Sequence, residues 1–316
     1  MRLTHHANLT LRVGRQELLY GSQRLVSVRE GPNVRQSFDA ARLILNAANW
    51  RIDGFLSRPV QTNAEVFDDA SNVEVSFWGI YGVGAIPKLK IQHIDLYYLG
   101  LNRATAQYDA GVMEETRHSV GIRYWGNKNP FRYNFEFVYQ WGSFGSGGIE
   151  AWTISSDTKY MLKSMPFWPI LGLKAEIISG DQNADDNKLQ TFNPLFPGGA
   201  YFGLAALIGP ANLFDVHPSI ELKLSEKLTF AADWDFFWRH RVHDGIYGPN
   251  GAFERTGQTS QEKFIGDQLG LQLAFDYNRH AYLSLEGAFF HAVRYLKESG
   301  SGKDLVYFSA TLGYKF

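Results

Sequence analysis

The final residues, Asp304 to Phe316, read DLVYFSATLGYKF. Val306, Phe308, Ala310, Leu312, Tyr314 and Phe316 share one parity, while Tyr307, Ser309, Thr311, Gly313 and Lys315 share the other. Successive side chains of an extended chain point to opposite faces. This is therefore a strand with one apolar and one polar face, ending on an aromatic residue, as the last strand of a bacterial outer-membrane barrel does.

The same alternation recurs along the whole chain. It predicts strands near 9–17, 36–46, 48–58, 71–81, 91–101, 114–125, 131–142, 148–160, 168–179, 215–224, 227–239, 264–277, 280–292 and 304–316. The expected fold class is all-β, an antiparallel transmembrane β-barrel of about fourteen strands, with residues 1–316 forming a single barrel domain. Connection lengths support this. With the carboxyl terminus in the periplasm, Asn46–Ala48, Gly126–Pro130, Leu224–Lys227 and Tyr277–His280 become short periplasmic turns. Glu17–Gln36, Pro59–Ala70, Ser179–Asp215 and Arg239–Phe264 become longer external loops, the asymmetry this class shows.

Charge keeps to one parity. In 131–142, Tyr133, Phe135, Phe137, Tyr139 and Trp141 alternate with Arg132, Asn134, Glu136 and Gln140; in 227–239, Trp234, Phe236 and Trp238 alternate with Asp233, Asp235 and Arg239. An Arg or Lys facing lipid at mid-bilayer costs about 2–4 kcal/mol, so the apolar parity is the outside and the polar parity lines a lumen. The charged lumen set is then Arg42, Arg51, Asp53, Glu74, Asp95, Arg117, Arg123, Glu136, Glu176, Glu221, Lys223, Asp233, Asp235, Arg239 and Glu286.

Composition agrees in its details. Aromatic residues make up 15% of the chain, enough to furnish girdles at two membrane interfaces. No run of about 18 apolar residues offers a transmembrane helix. Cysteine is absent, which excludes disulfides, thiolate nucleophiles and Cys-ligated metals. A net charge of -1 supplies no global field for nucleic acid. The residues after Met1, RLTHHANLT, lack the apolar core of a signal peptide. A secreted protein needs one, so the expectation is a chain that has lost an N-terminal part.

A more specific signal lies in Val13-Gly-Arg-Gln-Glu-Leu-Leu-Tyr-Gly-Ser-Gln-Arg-Leu25, followed by Asn33-Val-Arg-Gln-Ser-Phe-Asp-Ala-Ala-Arg-Leu43. These segments resemble the alginate-export family of outer-membrane barrels, which carry Gly-Arg-Gln, Gly-x-x-Arg-Leu and Phe-Asp-x-x-Arg-Leu blocks in this order. Further matches are Ser179-Gly-Asp181, Thr191-Phe-Asn-Pro-Leu-Phe196, and Trp238-Arg239 followed by Asp244-Gly-Ile-Tyr247. The resemblance implies an eighteen-stranded barrel that lets an anionic polysaccharide such as alginate cross the bacterial outer membrane through an arginine-rich constriction. It also implies that about four N-terminal strands and the secretion signal are missing here. If fourteen strands do not close on themselves, two edges stay unpaired, which lipid does not tolerate.

A uronate polymer carries a carboxylate on each sugar, and arginine's planar fork bonds both carboxylate oxygens. By resemblance, Arg15, Arg24, Arg42 and Arg239 fall in the family blocks. By parity, Arg51, Arg117, Arg123 and Lys223 also face inward, with Asp53, Glu136, Asp233 and Asp235 holding them extended and moderating the attraction. Against this stands the plainer reading that inward Arg–Asp pairs only brace the wall. Expected partners are the polysaccharide, outer-membrane lipid and lipopolysaccharide, and, by family analogy, periplasmic export proteins; no cofactor is expected.

Weaker signals complete the reading. Asp181, Asn183, Asp185 and Asp186 carry oxygen ligands that suit Ca²⁺, but also read as a solvated acidic loop. His5 and His6 read as a frayed end. A general porin for small solutes shares every feature except the family blocks. An outer-membrane lipid-modifying enzyme needs a Ser beside a His on the lipid face. His118 and His291 lie on the apolar parity, but their same-face neighbours are Val120 and Val293, so a channel rather than an enzyme is expected.

Overall fold

A computed structural model describes residues 2–4, 7–29, 34–86, 92–183 and 186–316. His5, His6, Asp185 and the first residue of the strand expected at 91–101 lie outside the described residues. In chain order the strands are β1 (Arg2–Thr4), β2 (Ala7–Gln16), β3 (Phe38–Ala47), β4 (Trp50–Gln61), β5 (Ala70–Ser71), β6 (Val75–Ala85), β7 (Gln92–Tyr108), β8 (Gly111–Lys128), β9 (Phe131–Phe144), β10 (Gly147–Met161), β11 (Ile170–Ile178), β12 (Lys188–Leu189), β13 (Leu213–Lys223) and β14 (Leu228–Arg239). Then come β15 (Ile246–Tyr247), β16 (Phe253–Arg255), β17 (Phe264–Asp276), β18 (Ala281–Ala292), the short helix α1 (Arg294–Ser299) and β19 (Leu305–Tyr314).

Fourteen long strands build one wall by antiparallel pairing in the order β2, β3, β4, β6, β7, β8, β9, β10, β11, β13, β14, β17, β18, β19. Each corresponds to one predicted strand. β1, β5 and β12 add short pairings to the same sheet, and β15 with β16 forms a separate ribbon. No ladder joins β2 to β19 among the described residues, so the wall is a barrel sheet left open between those two strands. Their side chains are correspondingly bare on both faces.

The parity rule holds along the wall, except past the register shift between Arg103 and Ala106 on β7, where the buried side chains change from odd to even positions. On β4, Asp53, Phe55 and Ser57 are buried while Leu56 is 69% exposed; on β19 the lipid-facing Leu312 is 82% exposed. Phe135, Phe137, Leu171, Leu173, Leu269, Leu271 and Phe308 are among the large apolar side chains on the outer surface. In water so large an apolar belt is unstable, whereas in hydrocarbon it is the solvated face. One row of this belt, Trp78, His118 and Trp141, sits directly beneath a polar row, Ser76, Asn102, Thr116 and Ser143, set by the registers of β6 through β9. Gly100 lies under the Trp78 indole, where any Cβ would collide with the ring.

The two rims differ. The carboxyl-terminal rim carries the turns Ala48–Asn49, Asn129–Pro130, Leu224–Lys227 and Tyr277–His280, with Leu162–Pro169 the longer exception. The opposite rim carries three long loops: a first loop (17–37), a second loop (179–212) and a third loop (240–263). Asp109–Ala110 and Gly145–Ser146 are tight turns on that rim, because β7 and β8, at 17 and 18 residues, take up the height as strand instead. Glu74 lies in the turn before β6 rather than on a strand, so it does not line the lumen.

The lumen is not simply polar. The first and second loops fold into it and join edge to edge: Ser27 donates to the Phe196 carbonyl (2.9 Å), Phe196 to Leu25 (2.9 Å) and Gly198 to Gln23 (3.0 Å). Their Leu18, Tyr20, Leu25, Val26, Phe192 and Phe202 pack with the inward Phe38, Phe55, Phe77, Tyr81, Tyr97 and Phe237 as the hydrophobic core. The core of this protein therefore lies inside the barrel.

Candidate functional site: a charge-balanced lumen

The site is the inner surface where the wall meets the inward loops. Parity delivers one side chain in two to this surface, and cross-strand register decides which charges meet. Asp95 on β7 stands directly opposite Arg123 on β8, and their side chains pair at 2.8 Å. Arg123 also donates to Asn134 (2.7 Å) and lies over the Trp125 ring.

Near the loop-bearing rim, Arg103 and Glu115 are likewise opposite, with Arg103 Nε donating to Glu115 Oε2 at 2.7 Å. Glu115 also pairs with Arg117, and both of those side chains are fully buried. Arg117 donates further to Gln140 (2.8 Å) and to the Thr191 carbonyl (3.1 Å) of the second loop. Asn193 and Gln140 exchange hydrogen bonds at 2.8 and 3.0 Å, stapling that loop to β9. Gly142 sits opposite Arg117 at φ +149, where a Cβ would collide with the Thr116 carbonyl; the close approach of β8 and β9 here needs glycine.

Deeper in the lumen, Arg24 of the first loop reaches the wall. Its guanidinium lies 3.2 Å from Glu136 and 3.2 Å from Glu176, and donates to Thr153 (3.0 Å) and Tyr201 (2.8 Å). Tyr97 donates to the other oxygen of Glu136 at 2.7 Å. Tyr20 stacks on Tyr81 and Tyr81 on Tyr97, with centroids 4.8 and 4.9 Å apart, which fixes the first loop against β6 and β7. Arg42 and Arg51 share Asp53, and Arg42 lies over the Tyr20 ring.

The remaining predicted residues divide. Asp235 is buried 2.7 Å from His217 Nδ1, and Asp215 stands 3.2 Å from His217 Nε2. Asp233 and Asp235 line a cavity of about 280 Å³ in the half of the lumen nearer the carboxyl-terminal rim, together with Lys159, Lys174, Asp157 and Glu221. Lys223 is exposed at that rim, its ammonium over the Trp168 ring.

Two expectations are corrected. Arg15 does not line the lumen: it stands opposite Asp39 in register, bonds it at 2.9 Å, and shares the outward parity of Leu11 and Val13. Arg239 has the inward parity but faces no open space. Its guanidinium donates to the carbonyls of Val242 (2.8 Å), Gly257 (3.1 Å), Ser260 (2.7 Å) and Glu262, and stacks on Tyr295. It holds the third loop closed.

The later motifs converge on one carboxylate, Asp244, buried in the third loop. It accepts hydrogen bonds from Asp181 N–H (2.8 Å), Thr191 Oγ1 (2.6 Å), Gly245 N–H (2.8 Å) and Tyr247 Oη (2.7 Å). Burial raises its pKa to about 6 despite these donors. Burial likewise raises Asp181, while His240, desolvated beside Arg241 and Lys263, is lowered to about 4. These segments knot the second and third loops together. The acidic stretch after Asp181 assembles no metal cluster among the described residues, and Asp185 lies outside them.

Sequence reasoning missed Arg103, Tyr201 and His217. Arg103 was within reach, since it keeps the parity of Asp95, and so was His217, which shares the face of Asp215 two residues before it; Tyr201, on a loop, meets its partners only through non-local packing.

The family described as alginate export matches residues 2–302. Among curated proteins none matches. Solved outer-membrane structures share the fold. OccK11 (OpdR) of Pseudomonas aeruginosa superposes with a TM-score of 0.61 at 12% identity, covering 97% of this chain and 76% of its own. OccK2 (OpdF) of the same organism, in complex with glucuronate, gives 0.60 at 11%, covering 98% and 79%. OccAB1 of Acinetobacter baumannii gives 0.55 at 12%, covering 96% and 74%.

Proposed function

The chain belongs to the alginate-export family, and from that premise we propose that this outer-membrane channel passes a uronate-bearing polysaccharide or oligosaccharide. The observation that carries the reading is the spacing of Arg24, Arg42, Arg51, Arg117 and Arg123 through the lumen, each paired with wall carboxylates. A cation already held by a carboxylate binds a passing carboxylate by exchange, so attraction is tempered and release stays fast. Asp53 and Glu136 act as the resident counter-ions, with Asp233 and Asp235 below them and Lys223 at the carboxyl-terminal rim. The inward loops shut the path at rest, and their displacement opens it. The outward polar row above the aromatic girdle is where lipopolysaccharide headgroups meet the wall, and any periplasmic export partner rests on family analogy.

A second reading, a porin for small solutes of mixed charge, is favoured by the cavity near the carboxyl-terminal rim. There Asp157, Glu221, Asp233 and Asp235 outnumber Lys159 and Lys174. Planar-bilayer recording decides between the two. Uronate oligomers should block the current at concentrations at least tenfold below those of neutral oligomers of the same length. Equal block by both supports the small-solute porin and ends the uronate reading.

A further inference from the structure

A larger cavity, about 720 Å³, lies where all three long loops approach the lumen face of β19, and a guanidinium lines it. Arg29 of the first loop stands apart from the arginines described above. Its Nε is buried with no hydrogen-bond partner, and no carboxylate among the described residues stands close enough to offset its desolvation. Among the described residues no ion pair joins it to Glu254, which also lines this cavity. Arg29 adopts a left-handed backbone at φ +55, held by Ser27 Oγ at its N–H (3.1 Å) and by the Gln36 N–H to Val28 carbonyl bond (2.8 Å). Strained non-glycine residues of this kind concentrate at ligand clamps.

The rest of the lining suits a sugar. Tyr307, Ser309 and Thr311 present the polar face of β19, and Asn250 adds an amide. Ser309 Oγ is itself buried without a partner. A buried donor left unmade is destabilising, so both groups gain when a ligand supplies oxygens. The volume falls within the range of about 300–1,000 Å³ typical of small-molecule sites.

We propose that Arg29 and this cavity form a binding subsite for one carboxylated sugar unit, the guanidinium taking the carboxylate and the hydroxyls of Ser309 and Thr311 bonding the sugar hydroxyls. The assignment rests on the uronate reading above and adds to it a place where a carboxylate is gained without displacing a resident one. At Arg24, Arg42, Arg51, Arg117 and Arg123 a ligand competes with Asp or Glu, whereas here it fills an unmet demand.

The test is single-channel recording of the whole protein with glucuronate, glucose and glucose 6-phosphate as blockers, comparing wild type, Arg29→Gln and Arg29→Lys. Heat-modifiable gel mobility certifies folding of each variant. The expected result is half-block by glucuronate at a concentration at least tenfold higher in Arg29→Gln, partial recovery in Arg29→Lys, and no change in the weak effect of glucose. Reversal potential in a KCl gradient should move toward cation selectivity in Arg29→Gln. If wild type discriminates glucuronate from glucose but Arg29→Gln does so equally well, the subsite is wrong while the uronate channel stands. If wild type itself does not discriminate, the channel reading fails and the subsite with it. Tighter block by glucose 6-phosphate than by glucuronate overturns the carboxylate assignment.

Discussion

Arg24, carried on a loop, lies 3.2 Å from Glu176 on β11, far away in sequence and across the interior of the barrel. Both side chains are almost fully buried. This contact, with its counterpart to Glu136, ties the first inward loop to the wall. Arg24→Ala removes the tie and leaves two carboxylates uncompensated. It should raise mean conductance several-fold, with frequent excursions to larger open levels in planar bilayers. A quiet channel of wild-type conductance would show that the first loop is held by other contacts.

Glu115 serves Arg103 and Arg117 at once. Breaking one member of a buried ion pair costs about 3–5 kcal/mol, because the remaining charge is left unbalanced. Glu115→Gln keeps the shape and removes the charge. Its unfolding free energy from urea titration in detergent or vesicles should fall by that amount, and substitution of the exposed Glu226 should change it little.

Leu271 and Gln272 are neighbours in sequence that meet different surroundings. Leu271 is exposed on the outer face, and Gln272 bonds Glu286 at 2.9 Å within the lumen. Leu271→Arg should destabilise the folded protein in lipid by about 2–4 kcal/mol. Gln272→Arg should cost less than about 1 kcal/mol, as a water-facing change beside a carboxylate. Equilibrium refolding into vesicles measures both, and equal losses would contradict the assignment of faces.

The loop knot around Asp244 predicts opposing pH effects. The folded-state pKa of Asp244, about 6, lies above its unfolded value, so its contribution is fully present below about pH 4 and is lost as pH rises toward 6. Asp181, also raised, has the same sign. His240, lowered to about 4, contributes stability that is present above about pH 6.5 and lost as pH falls toward 4. The two slopes oppose one another across the same window. Protease resistance of the loops should therefore vary little with pH in wild type. It should fall on acidification in Asp244→Asn, provided that variant folds, and fall with rising pH in His240→Gln.

The wall was legible in the sequence, and the plug was not. Lipid outside and water inside force a period of two on every strand, and each of the fourteen long strands announced itself that way. β7 runs past its expected end to Tyr108, because the register shift between Arg103 and Ala106 interrupts the alternation there. Arg15 was assigned to the lumen on its family block, although its parity with Leu11 and Val13 carried the opposite answer. Arg239 kept the right parity, but its cage of carbonyls comes from a loop with no periodicity to read. The inward folding of the first and second loops depends on partners such as Leu25 with Phe196, whose pairing no local pattern encodes.

The polar row of Ser76, Asn102, Thr116 and Ser143 above Trp78, His118 and Trp141 gives the molecule a waterline. β7 and β8 do not stop there. At about 3.3 Å per residue, the stretch from Asn102 to Asp109 rises on the order of 20 Å beyond it. That mast is stayed by the third loop, through Asp109 N–H to Tyr247 Oη (3.2 Å) and Gly257 N–H to Asp109 (2.7 Å). Braced in this way, the hairpin is a rigid spar that stands clear of the lipid headgroups.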